Sequence, residues 1–174
     1  ILFEHHEHLD FTVMQSRNIA PAFASWFAEQ GVLSADPNTG LGRVATTLQM
    51  VNIPDLHREV AYHERSPLRV ATTELGNARS FAAIPMMAGD RLLGAFTVYR
   101  TRVHPFSDHA LELAQLFAEQ ATIAIESARR HLQHSGTPDP AQTDVAKPDK
   151  VGNAQPPLVA ILPFRPIDAH DVEL

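Results

Sequence analysis

Ser80-Phe-Ala-Ala-Ile-Pro-Met-Met-Ala-Gly-Asp-Arg-Leu-Leu-Gly-Ala-Phe-Thr-Val-Tyr-Arg100 is the stretch that decides how this chain folds. From Ser80 to Met87 apolar side chains fall on both faces of an extended segment, with Phe81, Ala83 and Met87 on one and Ala82, Ile84 and Met86 on the other. A strand patterned in this way belongs inside a sheet that is covered on both sides. Pro85 has no N–H to give to a ladder, which predicts a bulge or a locally unpaired backbone. Gly89-Asp90 turns the chain into a second strand, Arg91–Arg100. Gly94, in the middle of that strand, permits close approach of another backbone or of a ligand.

Downstream, Pro105-Phe-Ser-Asp108 opens a long helix. The Ser107 hydroxyl is placed to cap it, Asp108 complements the positive end of its dipole, and Phe106 and Leu111 stand at staple positions. Leu111, Ala114, Ala118, Ala121, Ile125, Ala128 and Leu132 follow a 3-4 alternation, a heptad seam rich in alanine. Leu113, Leu116, Phe117 and Ile123 make a second apolar face. The expectation is that the second face lies on the sheet and that the seam Leu111, Ala118, Ile125 and Leu132 meets a partner helix.

Upstream, residues 1–16 read as a hairpin turning near Glu7, and Pro21–Gln30 as a helix stopped by Gly31. Leu41–Leu48 forms a second helix and Met50–Ile53 a short strand. Ser66-Pro67 is expected to cap a helix running to Leu75, with Gly76 as its left-handed cap. Arg79 precedes the central strand and is expected to pair with a carboxylate such as Glu74. Beyond Gly136 lie seven of the thirteen prolines, so residues 135–157 read as a linker. Residues 158–174 return as the start of a further domain.

Hydrophobic residues make up 44 %, enough for a packed core and too many for a disordered protein. The net charge of −6, with Lys147 and Lys150 both in the tail and the arginines scattered, argues against a nucleic-acid surface. With no cysteine, disulfides, thiolate catalysis and cysteine zinc sites are excluded. No apolar run approaches the roughly 18 residues of a membrane helix, and the reading is a cytoplasmic protein, a fragment that begins without methionine.

Asn38-Thr-Gly-Leu-Gly-Arg43, Ile53-Pro-Asp55, the Ala78–Met87 strand, the Gly94 strand and the closing helix together resemble a GAF domain, over about Phe11 to Arg130. GAF domains are sensory modules found beside bacterial histidine kinases and nucleotide cyclases. The resemblance implies an α+β fold of the GAF/PAS type, a twisted antiparallel sheet with helices on both faces. A ligand pocket is expected under a roof spanning Asp55–Gly76. Residues 1–134 would be that domain. Its usual first helix is missing ahead of the opening strand, which would leave the closing helix partly uncovered. The segment Pro157–Phe164 resembles the opening strand of TolB-like regions.

By the same resemblance, Asp55, His57, Tyr62, His63 and Arg69 are the candidate ligand-binding residues, polar groups able to orient a molecule in an apolar cavity. The plainer alternative is that Asp55 caps a turn and the rest are solvated. His6 and His8 would share a strand face, but two imidazoles without a third ligand make a poor zinc site, so no metal is expected. No cofactor can be named: the cysteines of bilin-carrying and sulfoxide-reducing relatives are missing, and haem on His57 or His63 has no support. No catalytic residues stand out, since no triad, carboxylate pair or phosphate loop is present. Two functions therefore compete. One is a regulatory sensor module that binds a small ligand and signals through the closing helix, as a homodimer, to an output domain in the same polypeptide. The other is a ligand-free dimerisation or spacer module.

Overall fold

The computed structural model describes residues 1–134, with side chains to residue 131. The linker expected over 135–157 and the further domain over 158–174 lie outside the described residues. Six strands form one sheet: β1 (Leu2–His5), β2 (Asp10–Gln15), β3 (Val32–Ser34), β4 (Val51–Ile53), β5 (Ser80–Ala88) and β6 (Arg91–Arg100). Their order is β3-β2-β1-β6-β5-β4, and every neighbouring pair is antiparallel. The interior positions of β5 and β6 fit their two apolar faces.

Gly94 stands where β6 passes β1, and a Cβ there would come within 1.9 Å of the Phe3 carbonyl oxygen. The close approach that this glycine permits is therefore to backbone. Pro85 sits opposite Ala95, and the ladder slips one residue later, between Met86 and Met87.

Helices cover both faces, the α+β architecture expected. On one side lie α1 (Pro21–Gln30), α2 (Gly40–Thr47), a 3-10 turn (Leu56–Arg58), α3 (Val60–His63), α4 (Pro67–Val70) and a π-helical turn (Ala71–Leu75). Their core is aromatic, built on Phe3, Phe11, Phe23, Phe27 and Phe81. On the other side α5 (Asp108–His134) lies on Ala82, Ile84 and Met86, with Leu2, Phe96 and Val98 alongside. Ser107 Oγ accepts the Ala110 amide at 3.4 Å, a long cap. Glu4, on the same sheet face, takes a hydrogen bond from Arg129 of this helix.

The faces of α5 are the reverse of the expectation. Leu111, Ala114 and Ala118 are buried on the sheet, and Ile125 packs against the same cluster. Leu113, Leu116, Phe117 and Ile123 are exposed. Small alanines let the helix backbone approach the sheet closely, whereas the bulkier face would hold it off. Leu132 lies in the helix, beyond the described side chains.

Three smaller expectations are corrected. Gly76 is right-handed at φ −82°, and the left-handed residue is Asn77 at φ 51°. A Cβ on Gly76 would lie 2.6 Å from the Thr72 carbonyl oxygen, so crowding rather than dihedral freedom selects glycine there. Ser66 does not cap α4 with its hydroxyl, although Pro67 occupies the first turn. Arg79 pairs with Asp55, while Glu74 pairs with Arg65.

Candidate functional site

The roof starts from a tight knot at Asp55. Its Oδ1 accepts the His57 amide at 3.2 Å, capping the 3-10 turn. Arg79 donates Nε to Oδ1 at 3.1 Å and Nη2 to Oδ2 at 3.0 Å, a two-point pair that also holds the Asp55 carboxyl below its usual range. Nearby, Ser80 Oγ donates to the Pro54 carbonyl at 2.6 Å and accepts the His104 amide at 2.8 Å. One hydroxyl thus joins the base of the roof to the loop that leads into α5.

Across the roof, the rings of His57 and Tyr62 stack with centroids 4.6 Å apart and planes 9° from parallel. His63 meets Tyr62 edge-on and is exposed. These residues are together, but none of them lines the space beneath the roof. Of the five candidates only Arg69 lines that space. Asp55 takes the turn-capping role that was its plainer alternative.

The space beneath the roof, partly open at one side, is built from parts far apart in the chain. Phe3, Phe81, Thr97 and Tyr99 come from the sheet, Phe23 and Phe27 from α1, Thr39–Leu41 from the start of α2, and Leu68, Arg69 and Thr72 from the α4 segment. The volume open to a water centre is about 20 Å³, room for roughly one water or a group of similar size. Its threonine hydroxyls are spent on backbone: Thr72 donates to the Leu68 carbonyl at 2.6 Å, Thr39 to that of Asp36 at 2.7 Å and Thr97 to that of Ile1 at 3.4 Å. The walls are otherwise aromatic and aliphatic.

Arg69 is the exception. It is 2 % exposed, and its Nε and Nη2 have no hydrogen-bond partner. Burial lowers its pKa to about 10, a shift opposed by Glu59, strengthened by Arg43 and opposed again by Asp36. It therefore stays charged at neutral pH. Glu59 acts on it through space only, its own hydrogen bond coming from Arg43. The Phe81 ring, 5.9 Å from the guanidinium carbon, gives partial cation–π compensation. An unpaired buried charge still costs on the order of several kcal/mol. Immediately after Arg69 the helix widens into its π turn, closed by the Gly76 amide on the Ala71 carbonyl at 3.0 Å. Such turns recur at functional sites.

A wider groove of about 460 Å³ lies between the α2–β4 connection, β5 and α5, lined by Leu48, Met50, Met87, Gln115 and Glu119 among others. It contains none of the unpartnered buried atoms. The amino-terminal histidines bond locally, His5 to the His8 carbonyl and His6 to Thr12 Oγ1, both at 3.0 Å. Only His5 lies in β1, and His8 is a left-handed turn residue, so His6 and His8 do not share a strand face as expected. No group of three metal-binding side chains is found among the described residues. Nor is any helix there long and apolar enough to cross a membrane.

The family model of the GAF domain matches residues 3–125, and the chain belongs to that family, whose members are regulatory modules of signalling proteins. Solved structures share the fold. A domain of a putative two-component sensor histidine kinase from Sinorhizobium meliloti aligns at 16 % identity and TM-score 0.58, over 77 % of this chain and 82 % of that one. The GAF domain of a phosphoenolpyruvate-protein phosphotransferase from Coxiella burnetii aligns at 21 % and 0.59, over 76 % and 73 %. A GAF domain/HD domain protein from Geobacter sulfurreducens aligns at 23 % and 0.59, over 76 % and 79 %. A search of curated proteins finds no match.

Proposed function

We propose that this GAF domain is the sensor module of a bacterial signal-transduction protein of the histidine kinase or nucleotide cyclase type, working in the cytoplasm. A small molecule enters the space under the roof and alters its packing. The closing helix passes that change to an output domain in the same polypeptide. The observation that supports this reading is the double role of β5 and β6. Phe81, Thr97 and Tyr99 line the space beneath the roof, while Ala82, Ile84, Phe96 and Val98 carry α5. A ligand that shifts Phe81 acts on the same strand that α5 rests on.

Thermal unfolding of the 174-residue chain against nucleotides, haem and small metabolites tests the reading. A true ligand at a hundredfold excess over its dissociation constant adds about 2.7 kcal/mol. No stabilisation by any of them would defeat it. The chain alone should turn over no substrate, and saturable turnover abolished by one roof substitution would contradict that.

The exposed row Leu113, Leu116, Phe117 and Ile123 favours the second reading, a ligand-free dimerisation or spacer module. A monomer at high micromolar concentration by sedimentation would remove it, and with it the homodimeric sensor.

A further inference from the structure

We infer that the ligand is a small monocarboxylate, seated with its two oxygens on the Nε/Nη2 edge of Arg69. This rests on the reading of the space beneath the roof as a sensor site and adds the chemistry of what it senses. The two unpartnered atoms of Arg69 are Nε and Nη2, the pair of donors that share one edge of a guanidinium and match the two oxygens of a carboxylate. The same molecule contains the filled version of this motif. Arg79 offers the same two atoms, and Asp55 occupies them with one oxygen each. Arg69 has the edge and lacks the acid.

The surroundings narrow the class. Thr39, Gly40 and Leu41, the start of α2, form part of the wall. The first-turn amides of a helix have no acceptor within it, and there they favour an anion. The Thr39 hydroxyl takes only the Gly42 amide. Among the lining side chains only Arg69 is cationic, and the Ile1 amine, which also lines the space, donates to the Thr97 carbonyl at 2.7 Å and is lowered to a pKa of about 6 by burial. At neutral pH a dianion would therefore bury a second charge with little to match it, which is costly. Phe3, Phe23, Phe27 and Phe81 leave the rest of the ligand an apolar environment. A carboxylate with a compact hydrocarbon body meets all these conditions. One with more than a few heavy atoms needs the roof to lift, because the present space holds about one water.

The test is thermal unfolding of the 174-residue chain and of Arg69→Met in sodium formate, acetate, isobutyrate and benzoate. Sodium chloride at equal ionic strength and the matching neutral amides are the controls. At least one carboxylate should raise Tm with the logarithmic concentration dependence of one-site binding to the folded state, and its amide should need at least tenfold higher concentration for the same rise. Without ligand, Arg69→Met should melt at or above the parent, since an unpaired buried charge has gone, and its carboxylate response should fall to the chloride control. In the parent, the Arg69 Nε–H resonance should titrate with the same dissociation constant that the Tm series gives. Amides as effective as carboxylates would overturn the ligand class while leaving the sensor reading intact. Silence from every compound would overturn the monocarboxylate assignment and leave the sensor reading to the wider ligand screen. A response retained in Arg69→Met would place the anion elsewhere and overturn the assignment. If that variant fails to fold, Arg69→Lys, which keeps the charge but loses the two-donor edge, should weaken binding at least tenfold; unchanged affinity would refute the seat.

Discussion

The two faces of the sheet are packed on different plans. Against α5 the sheet offers Ala82, Ile84 and Met86, and the helix answers with Leu111, Ala114 and Ala118. All of these are apolar and closely approached. On the other face, bulky rings from β1, β5 and α1 meet short helices, and a gap, a π turn and an unpaired guanidinium remain. The first face satisfies every local rule of packing. The second breaks several within a few residues of one another. Violations of this kind collect where a protein gives up stability for function, so the contrast identifies the roof side as the working side.

The comparison can be broken first at Phe23. It is 1 % exposed, and its ring lies 4.3 Å from that of Phe27. Phe23→Ala should cost about 3–5 kcal/mol by urea unfolding. A loss below about 1 kcal/mol would mean that the roof side is loosely packed throughout and not gapped at one place. On the helix face the sensitive change runs the other way. Ala82 is fully buried, and Ala82→Leu should cost about 1–3 kcal/mol by overpacking. Unchanged stability there would show that α5 has slack.

Asp55 sharpens the contrast between a filled and an unfilled arginine. Its folded pKa is depressed by the hydrogen bond from Arg79. The carboxylate therefore stabilises the fold fully above its unfolded pKa of about 3.9. That contribution disappears as pH falls through the lower folded value. The Tm advantage of the parent over Asp55→Asn should be constant from pH 7 to about 5 and shrink in acid. An advantage that grows on acidification would contradict the pairing.

The smallest effect on stability belongs to the outer face of α5. Phe117 is 60 % exposed, and Phe117→Ser should stay within about 0.5 kcal/mol of the parent. It should nevertheless weaken any self-association seen by sedimentation. Ile125→Glu should instead destabilise the domain, because Ile125 packs on the sheet.

Much of the scaffold was legible in the sequence because its signals are local. The β5–β6 hairpin was readable from two-faced apolarity and Gly89-Asp90, α1 from its aromatic spacing, and α5 from Ser107 and its long periodicity. The choice of face on α5 was not legible. Periodicity reports that two apolar stripes exist, and only the sheet, with its own alanines, selects the small one. The pairing of Arg79 with Asp55 spans 24 residues, whereas Glu74 is near in sequence and was the natural but mistaken choice. Arg69 was a candidate from its place in the roof, and its isolation was not, because isolation depends on what other segments fail to supply. Most of the aromatic walls are core, and the gap appears only when α1, α2 and the sheet meet.

The shared hydroxyl of Ser80 has a consequence that can be timed. Because it serves the Pro54 carbonyl and the His104 amide together, a movement of Ser80 that breaks both bonds frees the His104 N–H to solvent. The exchange of that one amide with deuterium is therefore a clock for motion at this junction, read at the threshold of α5. Under the proposed sensor reading a ligand slows it, although His104 does not line the space beneath the roof.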